Sequence, residues 1–281
     1  MSMTRRAKPT LTLNPSPMIK YRFYATLLDG FQNYLNSDII YSRYWGFSEN
    51  PPMTVDEFRQ KQFQGLIDRI NRVPFESEMA DRGTAFNEVV DCLIENRTSD
   101  KVQVEKVYNA EPVKDVNENL PAERKVTALK VGYNNRVFVF DINLCREFAQ
   151  YYQGALTQQF VSAPLDTKYG EVEIYGYVDE LMPQSVHDIK TTGKYFVGKF
   201  RDHWQHICYP YCYMQNGMDV KVFEYNVAEL NKYGGYNTYT ETYVFDPQRD
   251  TEKLRAHCEM FIDFLNDNRD LITDKKIFNL Q

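Results

Sequence analysis

The spacing of apolar side chains divides the chain into helical and extended stretches. Tyr24, Leu27, Leu28, Phe31 and Leu35 recur at helical intervals and predict an amphipathic helix over 22–36. Thr54 followed by Glu57 has the form of a capping box, and Phe63, Leu66, Ile67 and Ile70 give the i, i+3, i+4, i+7 stripe of the helix behind it. A further helix is expected over about 82–97, with Val89, Val90, Leu93 and Ile94 on its apolar side. Alternation over 126–140 around Asn134 and Asn135 predicts a hairpin with an Asn-rich turn. A helix over 142–154 and strands over 157–163, 171–181 and 185–192 follow, the last two joined as a hairpin by Met182, Pro183 and Gln184. The remainder reads as a helix over 198–216, strands near 220–228 and 239–245, and a helix over 249–268 that buries Leu254, Cys258, Phe261, Ile262 and Leu265.

Residues 1–20 are rich in proline and basic side chains without periodicity and read as an extended arm. The rest, 21–281, contains no repeat, low-complexity tract or linker, so one α/β domain with helical additions on its N-terminal side is expected. A hydrophobic content of 43% with 26% charged residues excludes disorder. The net charge of −6 means that a polyanion would have to be held by a local basic groove. The five cysteines are odd in number and form no C-x-x-C pair, which argues against a disulfide framework or zinc knuckle and for a reducing cytoplasm. No apolar run reaches the roughly 20 residues of a membrane helix, and no apolar leader follows the basic start.

An acidic residue two before a lysine occurs at five places, and one of them has a context suited to metal chemistry. On a strand, Asp188 and Lys190 project from one face while Ile189 enters the opposite layer. Asp179, near the end of the preceding strand and on the face opposite to Val172, Ile174 and Val178, is brought close by the short turn. Two converging carboxylates repel unless a divalent cation lies between them, and magnesium accepts one or two carboxylates together with phosphate oxygens. The lysine then orients water or offsets charge on a phosphoryl transition state, which is the chemistry of phosphodiester hydrolysis. Gln205 and Tyr209 are one helical turn apart, with Arg201 a turn earlier; such a row suits a DNA strand end, with amide and guanidinium on phosphates and the phenol ring on a base.

The run GYVDELMPQSVHDIKTT followed by Gln205-x-x-x-Tyr209 resembles the PD-(D/E)XK nuclease superfamily in its RecB-like branch, which includes phage recombination exonucleases similar to lambda exonuclease. The resemblance covers 82–217 and implies a restriction-endonuclease-like core, a central mixed sheet flanked by helices. It implies Asp179 and Asp188 as metal ligands with the Ile189 carbonyl as a further one, Lys190 as the catalytic lysine, and Gln205 with Tyr209 as the substrate motif. Where the family places a histidine four residues after a helical glycine, RGTAFNEVVD has Asn87; its amide oxygen, or Glu88 or Asp91, is then the expected donor. The cysteines do not follow the pattern of the cluster-binding relatives, so the expected cofactor is Mg2+ or Mn2+ without an iron-sulfur cluster.

The expectation is therefore a cytoplasmic exodeoxyribonuclease that trims duplex ends in recombination or repair, in the host cytoplasm if phage-encoded. DNA, a single-strand annealing protein and further copies closing into a ring are the expected partners. A structure-selective endonuclease on the same core, or a DNA-binding relative whose site has decayed, are the alternatives. His187 is expected on the face away from Asp188, His203 and His206 as incidental neighbours of Gln205, and Cys208 and Cys212 as packing. The 21 tyrosines are too many for any one stripe of them to be read as a stacking platform.

Overall fold

A computed structural model of the chain describes residues 19–109, 124–231 and 235–279. All but the last two residues of the arm expected over 1–20 lie outside this range. The protein is α/β, with a mixed central sheet, helices on both faces and helices at the N-terminal side.

The first described element departs from the sequence pattern. Tyr21–Tyr24 is a strand, β1, and the helix α1 starts only at Ala25 and ends at Leu35. Phe23 points into the core between Arg22 and Tyr24, a period of two hidden inside a helical-looking stripe. Tyr24 thus belongs to β1. A second helix, α2 (Ser37–Trp45), has no clear apolar stripe, since only Ser37 and Tyr41 are buried. The helix α3 (Val55–Ile70) begins with the expected capping box: the Glu57 N–H donates to Thr54 Oγ1 at 3.2 Å, and the Thr54 N–H donates to Glu57 Oε2 at 2.7 Å. The helix α4 (Glu78–Glu95) starts four residues earlier than expected, capped by Ser77.

A three-stranded antiparallel sheet follows, β2 (Gln103–Tyr108), β3 (Val126–Tyr133) and β4 (Arg136–Asp141). The expected turn is present, with both Asn134 and Asn135 left-handed at φ 48° and 60°. Exposed along its length, β2 carried no pattern to find. The helix α5 (Ile142–Tyr151) leads into the central sheet: β5 (Leu156–Thr167), β6 (Gly170–Met182), β7 (Ser185–Thr192), β8 (Val222–Leu230) and β9 (Tyr236–Val244). The helix expected over 198–216 is shorter: α6 runs from Gln205 to Gln215, and the residues before it form turns. The helix α7 (Pro247–Asp267) buries the five residues expected of it.

One apolar cluster joins α1, α3, α6 and α7 to one face of the central sheet through Ile174, Val178 and Val186. On the other face a second cluster joins α4, α5 and the small sheet to Ile189 and Ala228.

The long strand β6 is the frame of the molecule. One edge pairs antiparallel with β5 over almost its whole length. The other edge is divided: Val172–Tyr175 pairs in parallel with β1, while Glu180–Met182 pairs antiparallel with β7. Between the two pairings, residues 176–179 face a fork in the sheet. Past that fork β7 continues parallel to β8 alone.

Candidate functional site

The fork brings together the residues singled out in the hairpin. Asp179 stands at its rim, and the Ile189 N–H donates to Asp179 Oδ2 at 2.9 Å in place of a ladder bond. In an extended strand the N–H and C=O of one residue point to the same side, so the Ile189 carbonyl also looks into the fork. Asp188 and Lys190 come from the β7 face that packs on α6.

Gln205, at the start of α6, closes the group. Its Nε2 donates to Asp188 Oδ1, and its Oε1 accepts from Lys190 Nζ at 2.8 Å; Lys190 Nζ is 2.6 Å from Asp188 Oδ2. One amide thus fixes a carboxylate and an ammonium relative to each other. The helix end is itself anchored, because the Trp204 N–H donates to Asp29 Oδ1 of α1 at 2.5 Å. Burial pushes the Asp29 carboxyl up to about 7 despite that N–H and the nearby Lys190 charge.

One turn on, Tyr209 explains the glycine of the GYVD run. A Cβ at Gly176 would lie 2.6 Å from Tyr209 Cε1 and 3.0 Å from its hydroxyl oxygen. The ring fills the space that the missing side chain leaves in the fork. This corrects the expectation for the substrate motif: Gln205 and Tyr209 are 4% and 5% exposed and serve to hold Asp188, Lys190 and β6, and neither presents itself to a DNA strand. Arg201 is likewise misplaced by the sequence pattern, since it precedes α6 in an exposed turn and shares no helical face with Gln205.

The donors offered by α4 separate clearly. Gly83 lies against β7, where a Cβ would sit 3.5 Å from Thr191 Oγ1, and one turn later Asn87 Nδ2 donates to Asp179 Oδ2 at 3.0 Å. Asn87 Oδ1 is buried with no hydrogen-bond partner. Glu88 is engaged elsewhere: it accepts from Arg97 Nη1 at 2.6 Å and Ser99 Oγ at 2.8 Å, with Lys101 Nζ at 3.1 Å. Asp91, one turn beyond Asn87, is set beside Glu180, a fully buried carboxyl. Burial and the Asp91 charge push Glu180 up to about 10, and Asp91 is itself raised to about 6 by burial. Nothing in the sequence pattern pointed to this pair, because Glu180 reads as an ordinary strand-end carboxylate.

His187 keeps to the opposite face, with its ring nitrogens 2.7 Å from Ser185 Oγ and 3.1 Å from Asn226 Oδ1. His206 stacks on Tyr243, and Cys208 and Cys212 are fully buried in the core.

The fork sets two buried carboxyls, Asp179 and Asp188, beside one ammonium, Lys190. Burial, and after it the Asp188 charge, raise Asp179 to about 7, so the two adjacent carboxyls resist being ionised together. Burial alone would lower Lys190, but Asp188 outweighs it and keeps the lysine above its ordinary pKa, hence charged. Among the described residues no three His, Cys, Asp or Glu side chains form a ready metal cage. Magnesium does not require one, because one or two carboxylates suffice when water and phosphate oxygens complete the shell. Asp179, Asp188 and the Ile189 carbonyl offer oxygen donors of the kind it accepts; Asn87 turns Nδ2 to Asp179, so its unpartnered oxygen would join them only after the amide rotates.

Two residues past Lys190, the strand end opens into a cleft of about 880 Å³ lined by Arg43, Tyr44, Met79, Thr192, Lys194, Phe196, Lys199, Arg201 and Asp202, among others. Arg43, Lys194 and Arg201 make no ion pair among the described residues, in a chain whose net charge is −6. No described helix is long and apolar enough to cross a membrane.

No family model matches the chain, and no curated protein matches it. Among solved structures, one described as the crystal structure of SSO0001 is similar over 41% of this chain and 54% of that one, at 9% identity and a TM-score of 0.30.

Proposed function

We propose that the chain is a magnesium-dependent deoxyribonuclease with a restriction-endonuclease-like core, acting as an exonuclease on duplex ends in recombination or repair. The observation that carries the reading is the closed Asp188–Lys190–Gln205 group beside Asp179 at an open stretch of sheet edge. Buried charges held in one geometry cost stability, and a chain gains from such a group when it acts on a charged substrate.

Asp179, Asp188, the Ile189 carbonyl and Asn87 would hold the ion, which when bound supplies charge for a phosphate oxygen and a more acidic water. Lys190, charged and steadied by Gln205, is placed to bind a non-bridging phosphate oxygen and to offset the charge that builds as the phosphodiester bond breaks. Gln205 bonds both members of the Asp188–Lys190 ion pair and so fixes its orientation. Tyr209 and Gly176 keep the fork open at the width that Asp179 needs. The basic cleft past Thr192, with Arg43, Lys194 and Arg201 free of ion pairs among the described residues and Tyr44 and Phe196 in the same lining, suits a phosphate backbone approaching from the α2 side. Arg201 thus keeps its place as a DNA contact, on a loop instead of a helix.

Incubation of linear and covalently closed duplex DNA with magnesium or with EDTA tests the proposal. The exonuclease reading requires loss of the linear form alone, and only with magnesium. Cleavage of both forms selects the endonuclease alternative, and inertness toward both selects a decayed site.

A further inference from the structure

The face of β6 that carries Asp179 also bears a row of aromatic rings, exposed at Phe160 and Tyr177 and half-buried at Tyr175 and Tyr24. Tyr177 and Tyr175 precede Asp179 by two and four residues and therefore share its face. Phe160 of β5 lies directly opposite Tyr177 in register, their rings 5.2 Å apart, and the two are 52% and 61% exposed. The row continues with Phe160 6.4 Å from Tyr175 and Tyr175 5.9 Å from Tyr24 on β1. Cations accompany it: the Arg22 guanidinium, paired with Glu173 at 2.5 Å, lies 4.9 Å from the Tyr175 ring centre, and Arg72, paired with Asp274 at 2.7 Å, has its Nη2 3.4 Å from the Tyr175 hydroxyl. Beyond Tyr24 a cleft of about 720 Å³ is lined by Arg69, Arg72 and Phe75, and Arg69 makes no ion pair among the described residues.

We propose that this row is a track for an unpaired nucleic-acid strand, whose bases stack on Phe160, Tyr177 and Tyr175 and whose phosphates meet Arg22, Arg69 and Arg72, leading into the fork at Asp179. The proposal rests on the nuclease reading and adds the form of the substrate: a frayed or single-stranded end enters along β6, while duplex lies against the basic cleft beyond β7. Large apolar rings exposed side by side are costly in water unless a partner covers them. The partner must offer flat apolar faces and negative charge together, since guanidinium groups flank the row at its Tyr175–Tyr24 end, where Arg69 is without an ion pair among the described residues. Single-stranded nucleic acid has both, and every base has a face to stack. Continuity with the site supports the same occupant. Two residues of strand rise by about 7 Å, so Tyr177 is placed to hold a base next to a phosphate at Asp179.

The test is fluorescence anisotropy of the full chain in EDTA, with labelled oligo(dT) of about a dozen nucleotides and a blunt duplex of the same length. Tyr177→Ala and Phe160→Ala should each weaken oligo(dT) binding about tenfold, with Tyr177→Phe within about twofold of wild type and the duplex little affected. Unchanged oligo(dT) binding by the Phe160→Ala/Tyr177→Ala double variant overturns the track, and so does a change in the oligomeric mass of that variant by light scattering, which would make the face an interface between copies. A parallel assay with magnesium keeps the two readings apart. Cleavage by wild type together with unchanged strand binding by the double variant rejects the track alone, whereas a wild type that cleaves nothing rejects the nuclease reading on which it rests.

Discussion

Replacing Gly176 with alanine tests whether the fork is held open by Tyr209. The added Cβ would meet Tyr209 Cε1 at 2.6 Å and Cζ at 3.2 Å, where relaxed carbon contacts lie near 3.5–4.0 Å. The ring must therefore retreat by about 1 Å. It has little room to do so, because Tyr209 is buried in the main core with Phe223 beside it. Overpacking of this kind costs about 1–3 kcal/mol, which lowers the melting temperature by several degrees in a chain of this size. Activity should fall further. Tyr209 moves α6 with it, and α6 carries Gln205; a displacement of about 1 Å in a positioning group costs on the order of 100-fold in rate. The assay is a double-mutant cycle of Gly176→Ala with Tyr209→Leu, read by chemical denaturation and by single-turnover cleavage. Leucine removes the ring atoms that clash, so Gly176→Ala should cost close to nothing in that background, a coupling of about 1–3 kcal/mol. Equal losses in both backgrounds would refute the steric account.

Gln205→Ala should reduce kcat by about 10²-fold or more and weaken metal affinity by about tenfold, because the amide holds both Lys190 and the ligand Asp188; metal titration of the cleavage rate separates the two effects. Asn87→His should move the preferred ion from magnesium toward manganese without abolishing cleavage, since an imidazole nitrogen replaces an oxygen donor beside Asp179; rates measured with each ion across a concentration series check it. Glu88→Gln should cost about 2 kcal/mol near neutral pH by leaving Arg97 and Lys101 without their carboxylate. Burial opposes ionisation of Glu88, but its bonds to Arg97, Ser99 and Lys101 hold it at about 2, below the ordinary 4.5. The difference between variant and wild type should therefore be complete above about pH 4.5 and disappear as pH falls through about 2, in urea melts taken across that range.

The sequence-readable part of this molecule is the local part. The β6–β7 turn, the alternation that puts Asp188 and Lys190 on one face, and the capping box at Thr54 each depend on residues close together in the chain. The fork depends on β1, which pairs with β6 from about 150 residues away in sequence and three of whose four residues fall inside the helix expected over 22–36. Without the fork, a helix bearing Gln205 and Tyr209 looks like a surface row. With it, the same spacing becomes an inward row wedged between strands, and the glycine three residues before Asp179 acquires its steric reason. The aromatic row on β5 and β6 was illegible for the opposite reason, because tyrosines are so frequent here that only the register of two strands shows which of them align. Asn87 was legible as a departure, and its contact with Asp179 places it nearer the fork than Glu88, whose carboxylate is committed to Arg97 and Lys101.

The central claim is that the fork is a site of phosphodiester hydrolysis, and it is tested most directly by magnesium-dependent release of nucleotides from an end-labelled linear duplex, with wild type compared against Lys190→Ala and Asp188→Ala. The account predicts release by wild type that EDTA stops. It predicts losses of about 10²–10³-fold or more in both variants, with far-ultraviolet circular dichroism unchanged. Release by Lys190→Ala at more than about a tenth of the wild-type rate would contradict it, since a transition-state contact should cost more than that.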